Sequence, residues 1–402
     1  MKKKFLTVFW CFLLSVSMLV GCNVADDQAL QSKQTSASTE GETKAPVPPT
    51  DYSEKSLYPA EVLDQLKLYG RSAVLGKSLT CDWTASGIEF SADCQGSISL
   101  EMTTDAATYL TVYIDGVRAD TGTYNTETNK REGTTFYLDE GTHQVELAKE
   151  LEAGLHTVKV LKQNMEGNTC IDRIIFSGEL RQKPADQNLF IEFIGDSITC
   201  GYAAWGTNKT DDVVGPETTD GTATYAYLTA QALGADHSMI SISGIGLYKG
   251  FLSYPMTDVY PYINYRRDHS EKDFQAERDP DVVVVNLGTN DEDRIGDKKD
   301  EFKAHVEDLI AQIRTTYTED TKIVFCYNSM KQGKKAPNLI DEVITEKGGA
   351  DAGLYSLVMT TDISPITPEK HTHNGAPGNH PNAEQHQKQA ATLTAFLNEI
   401  LK

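Results

Sequence analysis

The spacing of apolar residues changes once along the chain, and this change restricts the folds that the chain can adopt. Over residues 57–180 apolar and polar residues alternate, and no helical stripe forms. Turn signals such as Asp115-Gly116 and Ala153-Gly154 separate the alternating segments. Short strands with one apolar face bury that face when two sheets pack together. We therefore predict a β-sandwich of jelly-roll type in this part of the chain.

After a polar connector at 183–188, short apolar runs alternate with helical patterns. The runs at 190–194, 240–243, 282–287 and 323–327 are typical of strands. The run at 282–287 is nearly continuous, as expected for a strand that is buried on both faces. The helical stripes repeat at spacings of three and four residues. They comprise Phe302, Val306, Leu309, Ile310, Ile313 and Tyr317, and then Ala390, Leu393, Leu397 and Ile400. This alternation predicts a parallel sheet covered by helices, with a ligand site beyond the carboxyl ends of its strands.

The first 22 residues have the pattern of an export signal. Lysines at positions 2–4 precede an apolar segment at 5–20 that is too short for a spanning helix. The segment is followed by Gly21 and Cys22, and the sequence Leu-Val-Gly-Cys resembles a bacterial lipobox. This resemblance implies cleavage before Cys22, a lipid on its thiol and a membrane-anchored position on the bacterial cell surface. The alternative is an ordinary signal peptide followed by a chance cysteine.

Residues 23–50 are rich in Ser, Thr, Gln and Ala and include a proline-rich stretch at 45–49. They contain too few apolar side chains to offset the entropy lost on ordering, so we predict a disordered tether. The chain would then contact the membrane only through the lipid. The predicted segments are a signal peptide at 1–21, the tether at 22–52, the β-sandwich domain at 53–182 and the α/β domain at 183–402.

Charge limits the ligands that the folded part can bind. The 402 residues include 58 acidic and 37 basic side chains, which gives a formal net charge of −21. Nucleic acid is excluded as a partner because neutralising phosphates requires clustered Lys and Arg. So acidic a surface also repels anionic substrates, and a neutral ligand is therefore favoured.

The cysteines do not form a recognisable framework. Apart from Cys11 and Cys22, the chain contains Cys81, Cys94, Cys170, Cys200 and Cys326. An odd number at irregular spacing fits neither a disulfide framework nor a paired Cys-x-x-Cys zinc site. We expect free thiols, with Cys81 and Cys94 the one pair that could form a bridge.

The strongest chemical signal is Gly195-Asp196-Ser197, directly after the apolar run at 190–194. A serine at this strand-to-helix turn lies at the carboxyl end of a buried strand, where its hydroxyl reaches the cleft. Taken alone, the segment is better explained by Asp196 or Ser197 capping the next helix.

Three further segments change this interpretation. They are Ser243-Gly244-Ile245-Gly246, Gly288-Thr289-Asn290-Asp291 and Gly378-Asn379-His380-Pro381-Asn382. Together with Gly-Asp-Ser, and in this order, they resemble the blocks of the SGNH hydrolases, also called the GDSL family. With the preceding sandwich, the chain looks most like carbohydrate esterase family 2. The resemblance covers roughly residues 57–402 and implies a flavodoxin-like α/β/α domain after the jelly-roll sandwich.

The resemblance also implies a role for each of these residues. Ser197 would be the nucleophile and His380 the base that takes its proton, since an imidazole titrates near neutral pH. The backbone N–H groups of Ser197 and Gly244 and the side-chain amide of Asn290 would form an oxyanion hole. Gly244 is preferred to Gly246 because it directly follows a serine, as in the family's block.

In one respect the chain departs from the family's pattern. Many members carry an aspartate two or three residues before the histidine, where this chain has Gly378 and Pro377. We therefore expect a Ser–His dyad in which a backbone carbonyl at 376–378 orients the ring. A remote acid such as Asp362 is the alternative, and Asp291 is expected to be a structural partner of the turns.

Other polar side chains carry weaker signals for metal binding. One set is irregularly spaced in a Gly/Pro-rich loop, and comprises His371, His373, His380 and His386. The other set lacks the spacing of a calcium loop, and comprises Asp211, Asp212 and Asp220. We therefore predict no metal site and no cofactor.

Aromatic residues concentrate in the loop at 248–274. They are Tyr248, Phe251, Tyr254, Tyr260, Tyr262 and Tyr265, and Trp205 lies in an earlier loop. Aromatic faces suit the apolar faces of sugar rings, but packing of the loop onto the sheet explains any single one more simply.

The resemblance implies an esterase that removes O-acetyl groups from plant cell-wall polysaccharide, xylan or glucomannan, through an acyl-enzyme on Ser197. The residues by themselves support only acyl transfer through a serine. The partner would be an acetylated polysaccharide or oligosaccharide, bound by a monomer. Two alternatives remain open: a general esterase of lipase or lysophospholipase type, and a non-catalytic glycan-binding surface lipoprotein.

Overall fold

The computed structural model shows an antiparallel β region followed by an α/β region with a parallel sheet, and the predicted fold class is confirmed. It describes residues 50–125, 127–128, 130–206, 215–267, 274–327, 329–330, 333–359, 375–376 and 380–402. The predicted signal peptide, Cys22 and nearly all of the tether lie outside the described residues. In the described part of the chain, no helix combines the length and apolar character that crossing a membrane requires.

The antiparallel region contains twelve described strands. They are β1 (Glu54–Leu57), β2 (Lys67–Tyr69), β3 (Val74–Leu75), β4 (Ser78–Thr80), β5 (Gly87–Thr104), β6 (Thr108–Ile114), β7 (Val117–Arg118), β8 (Thr123–Asn125), β9 (Lys130–Glu132), β10 (Phe136–Leu138), β11 (Gly141–Lys162) and β12 (Thr169–Leu180). Ten of them form one sheet with the main order β10-β6-β11-β5-β12-β4-β3, in which β1 pairs with β12, β2 with β5 and β7 with β6. Strands β8 and β9 form a separate hairpin.

The long strands β5 and β11 lie side by side in the middle of this sheet. They pair from Gly141 opposite Thr104 to Leu161 opposite Gly87, with irregular register near the middle. Alternate residues face a single apolar core, as the period of two predicts. Those from β5 include Ile88, Phe90, Ile98, Leu100 and Met102. Because residues from both ends of β5 meet in one core, the sheet curls around that core.

The α/β region is built on five parallel strands and six described helices. The strands are β13 (Phe190–Gly195), β14 (Asp236–Ser241), β15 (Val282–Asn286), β16 (Lys322–Tyr327) and β17 (Leu354–Val358). The helices are α1 (Ser197–Cys200), α2 (Tyr225–Leu233), α3 (Met256–Val259), α4 (Lys299–Thr316), α5 (Lys335–Glu346) and α6 (Ala383–Ile400). The strand order β14-β13-β15-β16-β17 is the flavodoxin-like order 2-1-3-4-5.

The parallel sheet separates two apolar cores. Val283 of β15 lies in the core that includes residues of α3, α4 and α5, and its neighbour Val284 lies in the core that includes residues of α2 and α6. The antiparallel region contributes Trp83 to the first core and Tyr69 to the second. The antiparallel region therefore contributes side chains to both cores of the α/β region.

Buried polar contacts also join the two regions. Arg71 of the antiparallel region lies 3.4 Å from the carboxylate of Glu192 in β13. The hydroxyls of Tyr260 and Tyr317 donate to the same carboxylate at 2.9 and 3.0 Å. With an ion pair and two hydroxyl donors, the buried Glu192 is compensated and fixes β13 against the antiparallel region.

Strand β14 begins four residues earlier than the apolar run at 240–243 predicts. Its first residues are polar, yet they are buried against the antiparallel region. Asp236 lies 2.6 Å from the ammonium of Lys67, and Nε2 of His237 donates to the carbonyl of Ala85 at 3.0 Å. The apolar pattern misses these residues because polar contacts with the other region, rather than apolar character, bury them.

The five cysteines of the described residues are free. Cys94 lies in β5, opposite Gly154 of β11 and Gly178 of β12. Cys81 follows β4, where its N–H donates to the carbonyl of Thr169. The bridge considered between Cys81 and Cys94 is absent from this structure.

The buried imidazole of His237 predicts a pH-dependent contribution to stability. Burial, with repulsion from Lys159, lowers the pKa of His237 from 6.5 to about 3. Between these values the unfolded chain binds a proton that the folded chain does not, so stability falls as pH falls from about 6.5 towards 3. In His237→Gln, which retains a donor for Ala85, the slope of unfolding free energy against pH should decrease by about 1.4 kcal/mol per unit.

Urea unfolding of both proteins at several pH values between 4 and 7 measures this difference in slope. His386→Gln is a matched comparison, because burial also lowers the pKa of His386 to about 3. Parallel curves for the wild type and His237→Gln would show that His237 titrates in the folded protein as it does in the unfolded chain.

Candidate active site

Strand β13 leads directly into the turn that presents Ser197. Asp196 is the N-cap of α1, and its Oδ1 accepts a hydrogen bond of 3.0 Å from the N–H of Ile198. A Cβ on Gly195 would lie 1.9 Å from Oγ1 of Thr199, so the tight turn requires glycine. Ser197 follows as the first helical residue and is 6% exposed. Helix capping was the simpler explanation of the Gly-Asp-Ser segment. It applies to Asp196 but not to Ser197.

His380 approaches Ser197 from near the C-terminus. It lies in β19 (His380–Pro381), which pairs with β18 (Gly375–Ala376), so that Ala376 is opposite His380. Nε2 of His380 is 2.7 Å from Oγ of Ser197. This distance allows direct proton transfer between the two side chains.

The loop after α1 supports the histidine. The ring of Tyr202 packs on the imidazole of His380, with centroids 4.6 Å apart and planes tilted by 48°. The N–H of Ala383 donates to the carbonyl of Ala204 at 2.8 Å, which ties the start of α6 to the same loop. Tyr202 was not predicted, because a single aromatic residue after a short helix forms no pattern.

Trp205 and Asp220 are part of this supporting structure. Nε1 of Trp205 donates to Oδ2 of Asp220 at 3.0 Å, and Oδ1 of Asp220 accepts from the N–H of Thr222 at 2.8 Å. Arg118 of the antiparallel region lies 3.9 Å from the same carboxylate. Asp220 thus acts structurally, whereas Asp211 and Asp212 lie outside the described residues.

A backbone carbonyl at 376–378 was predicted to orient the ring of His380, and of these three residues the structure describes only Ala376. The residues outside the described part include Asp362, His371, His373 and 377–379. His386 is buried in the core, where its Nδ1 accepts from the N–H of Tyr225 at 3.2 Å. Among the described side chains, no three His, Cys, Asp or Glu residues are grouped as metal ligands.

Gly244 lies shortly after the end of β14 and has a φ of +81°, a conformation that favours glycine. Its carbonyl accepts a hydrogen bond of 2.8 Å from the N–H of Phe251. In the ranges that the structure describes, the backbone N–H groups of Gly244 and Ser197 have no protein acceptor. Both donors are therefore available to a ligand.

Asn290 follows β15, and its side chain is held by the turns after β13 and β14. Nδ2 donates to the carbonyl of Ile245 at 2.8 Å and to Oδ2 of Asp196 at 3.1 Å. The structure thus brings Asn290 together with the turns that contain Ser197 and Gly244. Asp196 and Ile245 thus both accept from the amide of Asn290, which the family resemblance predicted to donate to a substrate oxygen.

The carboxyl group of Asp196 is fully buried beside this cluster. Burial raises the pKa of Asp196 to about 7, and the charge of Asp291 adds to the rise. The hydrogen bond from the N–H of Ile198 opposes it. A carboxyl group with this pKa is present in both protonation states near neutral pH.

Asp291 binds the turn that follows Gly246. Its Oδ1 accepts from the N–H groups of Tyr248 at 2.8 Å and Lys249 at 2.7 Å, and its Oδ2 accepts from that of Leu247 at 3.0 Å. A Cβ on Gly246 would lie 2.7 Å from Oδ1 of Asp291. Asp291 therefore has a structural role, and Gly246 is required for the close packing of this turn.

The aromatic residues at 248–274 fall into two groups. Tyr260 and Tyr262 are buried and pack the loop onto the fold. Phe251 is 72% exposed, and the guanidinium of Arg294 lies 3.9 Å from its ring centroid. An ideal Cβ on Gly244 would lie 3.3 Å from Cβ of Phe251, so this exposed ring adjoins the site.

The role of Asp291 predicts a large loss of stability in Asp291→Ala. The substitution removes the buried carboxylate that accepts from three N–H groups of this turn, so the free energy of unfolding should fall by about 2–4 kcal/mol. Asp291→Asn retains one accepting oxygen and should lose less. Urea unfolding measures both effects.

The exposed neighbour Asp293 provides the control for this experiment. Asp293→Ala should change the free energy of unfolding by no more than about 0.5 kcal/mol. An equally small change in Asp291→Ala would contradict the structural role assigned to Asp291.

The α/β region is similar to a known protein family. Residues 193–388 match the model of the GDSL-like lipase/acylhydrolase family. The resemblance to the GDSL family is confirmed. The matched segment contains Ser197, Gly244, Asn290 and His380.

Two curated proteins are similar in sequence to this chain. The cellulase/esterase CelE of Acetivibrio thermocellus is 29% identical over 333 residues, which cover 80% of this chain and 38% of CelE. The acetylxylan esterase/glucomannan deacetylase of Cellvibrio japonicus is 28% identical over 193 residues, which cover 45% of this chain and 52% of that protein. The chain therefore spans about two fifths to one half of the length of these relatives.

Solved structures agree with this assignment. Two structures of a family 2 carbohydrate esterase from Clostridium thermocellum, one of them an active-site mutant, are 26% identical to this chain. Their TM-scores are 0.72 and 0.70, and the similarity covers 84% of this chain and 98% and 99% of theirs. The likeness therefore includes the antiparallel region as well as the GDSL-like region.

Proposed function

We propose that this chain is a serine esterase that removes O-acetyl groups from plant cell-wall polysaccharide, xylan or glucomannan. The observation that carries this proposal is the distance of 2.7 Å between Oγ of Ser197 and Nε2 of His380. A serine hydroxyl is a weak nucleophile until a positioned base accepts its proton, and this contact supplies that base. No cofactor takes part in the proposed reaction.

The reaction proceeds through an acyl-enzyme. As Oγ of Ser197 attacks the acetyl carbonyl carbon, His380 accepts the hydroxyl proton and the carbonyl oxygen becomes an oxyanion. Collapse of this intermediate breaks the bond to the sugar oxygen, which receives the proton from His380. Water then attacks the acetyl carbon with His380 again as base, the bond from that carbon to Oγ of Ser197 breaks as Oγ receives the proton from His380, and acetate leaves.

Negative charge on the oxyanion is stabilised by hydrogen-bond donors. The N–H groups of Ser197 and Gly244, which lack acceptors among the described residues, supply two donors. The amide of Asn290 supplies the third when one of its two hydrogen bonds is released or shared. Removing one such donor typically slows catalysis about a hundredfold to a thousandfold.

Three observations support a carbohydrate as the substrate. The similar proteins include an acetylxylan esterase/glucomannan deacetylase and a cellulase/esterase. A similar esterase structure contains cellohexaose, a neutral glucose polymer. In this chain, the exposed ring of Phe251 adjoins Gly244 and offers an apolar face to a sugar ring.

We further propose that the protein acts as a monomer at the bacterial cell surface, anchored by a lipid on Cys22. Cleavage would leave the tether at 22–52, the sandwich domain at 53–182 and the GDSL-like domain at 183–402. The proposal rests on the lipobox-like sequence ending at Cys22 and on the composition of the tether.

Ser197→Ala should lower the rate of acetate release from acetylated xylan and from 4-nitrophenyl acetate by about 10⁴-fold or more, because it removes the nucleophile. Its thermal unfolding midpoint should stay close to that of the wild type. Labelling of the wild type by a fluorophosphonate, mapped by mass spectrometry to Ser197, provides a second measurement. Retained activity in a folded Ser197→Ala protein would exclude the proposed mechanism.

Phe251→Ala should lower kcat/KM more for acetylated xylan than for 4-nitrophenyl acetate, because only the polymer presents a sugar ring to the missing aromatic face. A tenfold difference corresponds to about 1.4 kcal/mol of binding. Leu155→Ala, which shortens another strongly exposed apolar side chain, is the control. Equal losses on both substrates would show that Phe251 does not contact the sugar.

A further inference from the structure

We infer that Asp196 is a positioning residue that acts through Asn290: its carboxyl group fixes the Asn290 amide as an oxyanion donor. The inference rests on the proposed function, and it adds a residue to the proposed site. The amide of Asn290 lies between Oδ2 of Asp196 at 3.1 Å and the carbonyl of Ile245 at 2.8 Å.

The two oxygens of Asp196 serve different partners. Oδ1 caps α1 by accepting from the N–H of Ile198, and Oδ2 accepts from Asn290. A cap alone needs one oxygen, which serine or asparagine supplies as well as aspartate. The second oxygen is therefore the feature of Asp196 that the cap does not explain.

Retaining a carboxyl group at this position is costly. The side chain is fully buried, and burial raises the pKa of Asp196 to about 7. Among the described residues, no lysine or arginine compensates its charge. A buried acid without a cation destabilises the fold, so a contribution to the site explains its presence better than packing does.

The contact with Asp196 fixes an angle that asparagine does not fix by itself. The terminal torsion of an asparagine side chain is broad, because it joins a tetrahedral carbon to a planar amide. Acceptors on both hydrogens hold the amide plane of Asn290 in one orientation. When an oxyanion forms, the amide shares a hydrogen with it while the bond to Asp196 keeps the amide plane in place.

The test is a double-mutant cycle between Asp196 and Asn290. Asp196→Ser retains an oxygen for the cap and removes the acceptor for Asn290. In the wild-type background it should lower kcat on 4-nitrophenyl acetate about tenfold to a hundredfold, with a smaller change in KM, because the donor acts on the oxyanion. In the Asn290→Ala background the same substitution should change kcat less than about threefold.

Asp196→Asn is the second variant of the cycle. It preserves the shape of the side chain and one oxygen for the cap, but it places an amide where Asn290 requires an acceptor. It should therefore lose at least as much kcat as Asp196→Ser. Wild-type kcat in Asp196→Asn, or equal losses from Asp196→Ser in both backgrounds, would overturn the inference.

A structural measurement separates this inference from the proposed function. In protein labelled with ¹⁵N-asparagine, the side-chain signals of Asn290 are assigned by their disappearance in Asn290→Ala. Asp196→Ser should shift them and speed their exchange with water, whatever ester the protein hydrolyses. Unchanged Asn290 signals would refute the positioning role, whereas changed signals without any esterase activity would refute only the proposed function.

Discussion

The alignment of three neighbouring parallel strands is the constraint on which the site depends. Strands β14, β13 and β15 run in the same direction, so the turns after them meet at one edge of the sheet. These turns carry Gly244, Ser197 and Asn290. The hydrogen bonds of Asn290 to Ile245 and Asp196 connect all three turns, and His380 joins this cluster through its contact with Ser197.

The antiparallel region is part of the same folded unit as the GDSL-like region. Residues 49–402 form one compact unit, in which Trp83 packs into a core of the parallel sheet. Its indole N–H donates to the carbonyl of Ile263 at 2.6 Å. Asp82 pairs with Arg267 at 2.6 Å. These contacts bind the long loop after Gly244 to the antiparallel region.

Spacing patterns predicted the order of elements because they depend on local information, and the resemblance of four short blocks to a known family predicted which residues meet at the site. Period-two and helical spacings follow from the geometry of each element, and the blocks around Ser197 and His380 are short. The early start of β14 and the packing of Tyr202 on His380 were not predictable in this way. Both depend on partners far along the chain, and a single sequence does not reveal which partners meet.

The two buried aspartates of the site show why tertiary contacts decide chemical roles. Asp291 receives three backbone N–H groups from one turn, and its charge is therefore shared among fixed donors. Asp196 receives one backbone N–H and the amide of Asn290, and its pKa rises to about 7. An acid that is partly neutral near pH 7 repels a developing oxyanion less than a permanent charge would. The same residue type thus stabilises a turn at one position, while at the other it can hold a hydrogen-bond donor beside the reacting group with little electrostatic penalty.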